Sequence, residues 1–279
     1  MTYALGYNTN GFAGHRLEDA LRLLADTGYS AVAITLDHHH LDPLATDIPA
    51  RTDRVAALLD ELGLRRVVET GARYLLDPRD KHEPTLVSQA AEPRMELTRS
   101  AVRVAERLGA ECVSLWSGTV PRDVPETVAW QRLRDRLPPL VEYAGARGMR
   151  LGFEPEPGMA VDTLPALFRL RAELGHPEAL GITLDVGHCV AVEDRSAADC
   201  VRAAAPWLVN VQLDDMRAGV HEHLPFGEGE LDLPATLAAL DEVGYRGVAA
   251  VELPRHSHAA PVLAAASLRA LNAAATAVV

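Results

Sequence analysis

The segment from Leu208 to Glu230, LVNVQLDDMRAGVHEHLPFGEGE, opens as a short apolar run and closes in a glycine-punctuated loop. Between these ends stand Gln212, Asp214, Asp215, Arg217, His221 and His223, each able to bind a metal ion or an anion. Charged groups that leave water must be paired or coordinate a metal, so this pattern reads as a strand delivering its end into an active site. The motif recurs elsewhere: Phe153-Glu154, Leu184-Asp185 and Val251-Glu252 each finish an apolar run on a carboxylate. If adjacent strands aim Glu154, Asp185, Gln212 and Glu252 at one spot, three like charges repel unless something neutralises them. A divalent cation is the simplest neutraliser. Oxygen ligands suit Mg or Mn, and added imidazole suits Mn, Fe, Co or Zn. A helix cap or ion pair is the ordinary fate of one such acid, but it does not account for the set.

The histidines divide by context. His221 and His223 alternate, so both imidazoles face one side of an extended segment and can reach one ion, and His188, three residues after Asp185, can complete its ligand set. Of the remaining polar residues at strand ends, Glu69 and Trp116 are candidate substrate contacts. His39, within Asp37-His38-His39-His40, fits a substrate contact and a surface loop tip equally. His256 and His258 lean towards the site only because they follow Glu252. Arg217 and Arg255 flank it and suit a hydroxyl, carboxylate or phosphate, or else a surface ion pair. Gly227-Glu-Gly229 reads as a turn before it reads as a phosphate cradle.

These residues need a frame that brings strand ends together. Short apolar runs alternate with helix-period segments throughout: strands at 3–7, 31–36, 66–69, 111–116, 151–154, 180–185, 207–212 and 248–252, each followed by an amphipathic stretch. Glycines such as Gly28, Gly63 and Gly109 stop the helices. Pro138-Pro139 would kink or split the helix expected over 124–146. Eight strand–helix repeats predict an α/β chain forming a single (β/α)8 TIM barrel over residues 1–279, whose catalytic groups sit where strands run into the loops at the C-terminal face. The competitor is a doubly wound open sheet, but Gly6-Tyr-Asn-Thr-Asn-Gly11 lacks the dinucleotide-binding spacing.

Composition narrows the function classes. The 279 residues carry a formal net charge of −12, which disfavours nucleic acid as a partner. Lys81 is the only lysine and sits in a polar loop, so Schiff-base chemistry, which needs a desolvated amine, is not expected. The three cysteines form no CxxC pair, and no run approaches a membrane span, so a cytoplasmic protein without a membrane partner is expected. A small-molecule partner is expected, and a homo-oligomer is compatible with the sequence.

Taken together, Phe153-Glu-Pro-Glu-Pro157, Leu184-Asp-Val-Gly-His188, Val211-Gln-Leu-Asp-Asp215, His223-Leu-Pro-Phe-Gly-Glu-Gly-Glu230 and Val251-Glu252 resemble the xylose-isomerase-like barrel superfamily. It includes sugar isomerases and epimerases, dehydratases and endonuclease-IV-type enzymes. The resemblance implies one divalent metal on Glu154, Asp185, Gln212 and Glu252. Gln212 replaces the usual histidine. It further implies that Glu154 and Glu252 move a proton beside a substrate carbonyl through an enediolate, with His188 and Arg217 binding substrate oxygens. The endonuclease-type pattern implies instead a second metal on His188, His221 and His223 and phosphoester hydrolysis. A dehydratase using the same enediolate chemistry is the third reading.

Overall fold

The computed structural model describes residues 1–276. Its barrel strands are β1 (Ala4–Asn8), β2 (Ala31–Thr35), β3 (Arg65–Glu69), β4 (Cys112–Trp116), β5 (Arg150–Glu154), β6 (Leu180–Asp185) and β7 (Leu208–Leu213). A hairpin of β8 (Asp215–Arg217) and β9 (Val220–Leu224) precedes the eighth barrel strand, β10 (Val248–Val251). All eight barrel strands run parallel and close in the order β1-β10-β7-β6-β5-β4-β3-β2. This is the expected (β/α)8 barrel. The expected extent, 1–279, includes three residues outside the described part. Strands covered on both faces read as nearly continuous apolar runs, and β2, Ala-Val-Ala-Ile-Thr, is buried at every residue.

The helices follow the strands: α1 (Leu17–Thr27), α2 (Ile48–Glu61), α3 (Glu92–Leu108), α4 (Glu126–Gly145), α5 (Leu164–Glu173), α6 (Val186–Val192), α7 (Ala197–Ala204), α8 (Leu233–Glu242) and α9 (Ala260–Thr276). Their ends are encoded locally. Thr163, Ser196 and Asp232 accept backbone N–H bonds at the starts of α5, α7 and α8, and Gly28 and Gly109 close α1 and α3 in the left-handed region. The prolines do not divide α4, which runs through Pro138 and Pro139 as one helix. Leu133 and Leu137 before them and Leu140 and Val141 after them are buried, so packing on the barrel offsets the lost hydrogen bonds.

Register brings the functional residues to one level. Thr35 pairs with Glu69, Trp116 with Glu154, and Asp185 with Gln212. The strand ends therefore form a polar ring at the C-terminal mouth, above a barrel interior filled by small side chains such as Ala33, Val67, Cys112 and Ala250, while Tyr7, Ile34, Phe153 and Val251 face the surrounding helices. Among the described residues, no helix is long and apolar enough to cross a membrane.

Candidate active site

A cavity of about 380 Å³ opens at that mouth. Glu154 and Glu252, ending β5 and following β10, lie on its wall with Gln212, His188, His221 and His223. Asp185 ends β6 and is almost fully buried. It shares two close groups: ligating atoms of Glu154, Asp185 and His188 lie within 4.8 Å of one another, as do those of Asp185, His223 and Glu252. Asp185 Oδ1 accepts the His188 backbone N–H at 2.9 Å, capping α6, a short helix that the sequence reading did not anticipate. Its second oxygen, Oδ2, and Oε1 of Gln212 are buried without a hydrogen-bond partner. Two orphaned oxygens among crowded carboxylates are what a divalent cation would satisfy.

Burial dominates the electrostatics. It raises Glu154 well above the ordinary carboxylate value, with Glu156 and Glu252 adding repulsion. Burial also lifts Glu252 to about 8, against the pull of His223 and of the Asn10 side chain, whose amide donates to Glu252 Oε1 at 2.7 Å. For Asp185, burial works in the same direction, but His188 and His223 outweigh it and hold this acid below its ordinary value. Glu69 rises to about 7 through burial, while Asn210, donating to its Oε1 at 2.8 Å, acts in the opposite sense.

The imidazoles form a triad around the same point. The ligating nitrogens of His188, His221 and His223 lie within 4.8 Å of one another. His188 Nδ1 faces the Pro155 carbonyl at 3.1 Å, which can only accept, so that nitrogen carries the proton. Burial lowers His188 to about 4, so near neutrality its ring is uncharged and Nε2 offers a lone pair. That lone pair points at His221 Nε2, 3.1 Å away. Burial likewise lowers His221 to about 4. These two neutral rings can accept a cation without first losing protons.

The hairpin places two of these ligands. His221 and His223 alternate along β9 and face the cavity together. His223 Nδ1 contacts the buried carboxylate of Asp214, which fixes the ring's orientation. Asp214 in turn fits only because residue 187 is glycine; a Cβ there would overlap its carboxylate. Asp215 has a different role. Its carboxylate accepts the backbone N–H groups of Gly227, Gly229 and Leu231 at 2.8, 3.0 and 2.9 Å. The Gly227–Gly229 amides are thus committed to Asp215, and the segment is a turn rather than a phosphate cradle.

Of the anticipated substrate contacts, Glu69, Trp116 and His188 line the cavity. Arg217 does not. It is exposed and donates to the Glu228 carbonyl at 2.7 Å, because β8 turns its side chain towards the outer loop. His39 also lies outside the cavity lining; it packs between the rings of His38 and His40 at the tip after β2. His256 and His258 stack on one another and stay outside the lining as well. Conversely, Glu156, Arg73, Lys81 and His82 line the cavity although none is a candidate site residue in the sequence, where Lys81 reads as a polar-loop lysine and His82 as a structural or surface histidine. For Glu156 a signal existed, since it follows Glu154 at the alternate position of an extended segment. The long loop carrying Arg73, Lys81 and His82 has no periodicity from which its direction could be read.

A family model described as xylose isomerase-like TIM barrel matches residues 21–274. L-ribulose-5-phosphate 3-epimerase UlaE of Shigella flexneri serotype 5b is 25% identical over 250 residues, covering 86% of this chain and 83% of the relative. The solved structure of an L-ribulose 3-epimerase aligns with a TM-score of 0.79 at 18% identity, over 99% of this chain and 95% of its own. The IOLI protein, solved with a binding zinc atom, aligns with a TM-score of 0.75 at 17% identity, over 99% of each chain. At these identities the two structures speak for the fold alone.

Proposed function

The chain belongs to the xylose isomerase-like TIM barrel family, and we propose that it is a divalent-metal-dependent isomerase or epimerase of a sugar, cyclitol or related polyol. The observation that carries this reading is the pair Glu154 and Glu252, two acids of raised pKa in one cavity, beside the unpartnered oxygens of Asp185 and Gln212. The UlaE epimerase relative supports a sugar as substrate, and the zinc of the IOLI structure supports a metal-binding barrel.

Glu154, Asp185, Gln212 and Glu252 would hold the cation. When bound, it supplies electrophilic polarisation of a carbonyl and offsets negative charge developing on that oxygen. The protein's own groups do the rest. Glu154 and Glu252 reach the substrate from different strands, so one can take a proton from the carbon beside the carbonyl while the other returns one to the enediolate. The carboxyl that returns the proton must carry one at the start of the turnover. The partner must start ionised, which a nearby cation favours. Asn10 fixes the Glu252 carboxylate, and the neutral His188 ring lies beside the other, with Nδ1 3.5 Å from Glu154 Oε1. Trp116, stacked on His82 with ring centroids 5.1 Å apart, forms an apolar wall that limits water around the reacting carbons.

Transfer of solvent deuterium into a ketose tests the two-base scheme. Glu154→Gln and Glu252→Gln are each expected to abolish exchange at the carbon their carboxylate serves; exchange persisting unchanged in both variants sinks it. The His188, His221 and His223 group favours a second reading, metal-dependent phosphoester hydrolysis. That reading requires two or more metal ions per chain and loss of one in His221→Ala/His223→Ala, which elemental analysis measures directly.

A further inference from the structure

The cavity's charge is sharply divided. Its floor is acidic, with Glu154, Glu156 and Glu252, whereas Arg73, Lys81 and Arg255 stand among its lining residues on the loops after β3 and β10. In a chain with one lysine and a net charge of −12, three cations around one opening need a reason. Ordinary ion pairing does not provide it. Among the described residues Lys81 makes no ion pair or hydrogen bond, and Arg255 has only Glu222, at 3.8 Å between exposed groups. Arg73 donates to the Pro254 carbonyl at 3.3 Å, linking the two loops and leaving its charge uncompensated. The rim charges also converge: Lys81 and Arg255 both bear on His221, and Lys81 and Arg73 both bear on His82.

We propose that Arg73, Lys81 and Arg255 form a subsite for an anionic group, a phosphate or a carboxylate, at the end of the substrate remote from the reacting carbons. The proposal rests on the polyol-isomerase reading above, since it assigns the outer end of that same substrate. The division of charge gives orientation as well as affinity. An anion directed at the floor would meet three carboxylates, whereas one directed outward meets three donors able to form charge-assisted hydrogen bonds. Lys81 and Arg255 are exposed, so both side chains are open to a ligand.

Calorimetric titration of the metal-loaded protein with D-ribulose, D-ribulose 5-phosphate and 5-keto-D-gluconate compares neutral, phosphorylated and carboxylated ketoses. At least one anionic ketose is expected to bind about tenfold or more tightly than the neutral one, the scale of a single good charge-assisted contact. In Lys81→Ala/Arg255→Ala that ratio should fall to about two or below, and in the wild type it should shrink as salt is raised. The ligand that shows the preference identifies phosphate or carboxylate. Equal binding of neutral and anionic ketoses, or a preference surviving the double substitution, overturns the subsite. Deuterium exchange on the same sugars keeps the two readings apart. Selectivity without exchange in any bound sugar refutes the isomerase and leaves the rim standing, and exchange without selectivity does the reverse.

Discussion

Removing the cation should make folding stability depend on pH, with Glu252 contributing a separable share. In the cation-free protein, burial lifts Glu252 from an ordinary value of 4.5 to about 8. Between those values the unfolded chain has released a proton that the folded chain still binds. The stability associated with this group is therefore fully present below pH 4.5 and is lost as pH rises through 8. Each pH unit in that window is worth about 1.4 kcal/mol, so the loss from pH 5 to 7 is about 3 kcal/mol for Glu252 alone. Urea unfolding in the presence of chelator, at several pH values, measures it. Glu252→Gln cannot ionise, and its stability should fall by about 3 kcal/mol less over the same interval. Added Mn²⁺ should flatten the wild-type slope, because a cation replaces the retained proton and stabilises by mass action, by about 4 kcal/mol at a thousandfold excess over Kd. Identical slopes for wild type and variant in chelator would refute the claim that this carboxyl is buried and protonated.

Two further outcomes concern the hairpin. Asp215→Ala removes the acceptor of three backbone N–H groups; at about 1 to 2 kcal/mol for each, denaturant unfolding should register a loss of about 3 to 6 kcal/mol. A loss below about 1 kcal/mol would mean that the 227–231 turn holds itself. Gly187→Ala places a methyl group against Asp214 and should displace the carboxylate that orients His223, weakening metal affinity about 10- to 100-fold by competition with a fluorescent chelator. Unchanged affinity would detach Asp214 from the site.

Much of this protein is legible in its sequence because the relevant signals are local. Apolar runs of strand length with glycine-stopped helices between them place β6 at Leu180–Asp185, the bounds found in the structure, and the other seven barrel strands within a residue or so. A (β/α)8 barrel follows from that count, and the rule that parallel strands present their ends at one face then gathers Glu154, Asp185, Gln212 and Glu252 without any coordinates. The alternation of His221 and His223 likewise follows from strand geometry.

What the tertiary structure alone decided is where loops and long side chains go. Arg217 lies three residues after Asp214 on a hairpin whose register turns it outward, while Asp215, beside an apparent ligand, is consumed by three amides of its own loop. Lys81 stands far from every motif in sequence, yet the loop after β3 folds it over the mouth beside Arg255. The α4 prolines are tolerated because burial on both sides of them outweighs their local cost. Period and propensity fix the path of a chain within an element. The aim of a loop, and the choice of which acid becomes a ligand and which a brace, depends on contacts between residues distant in sequence, which only the closed barrel brings together.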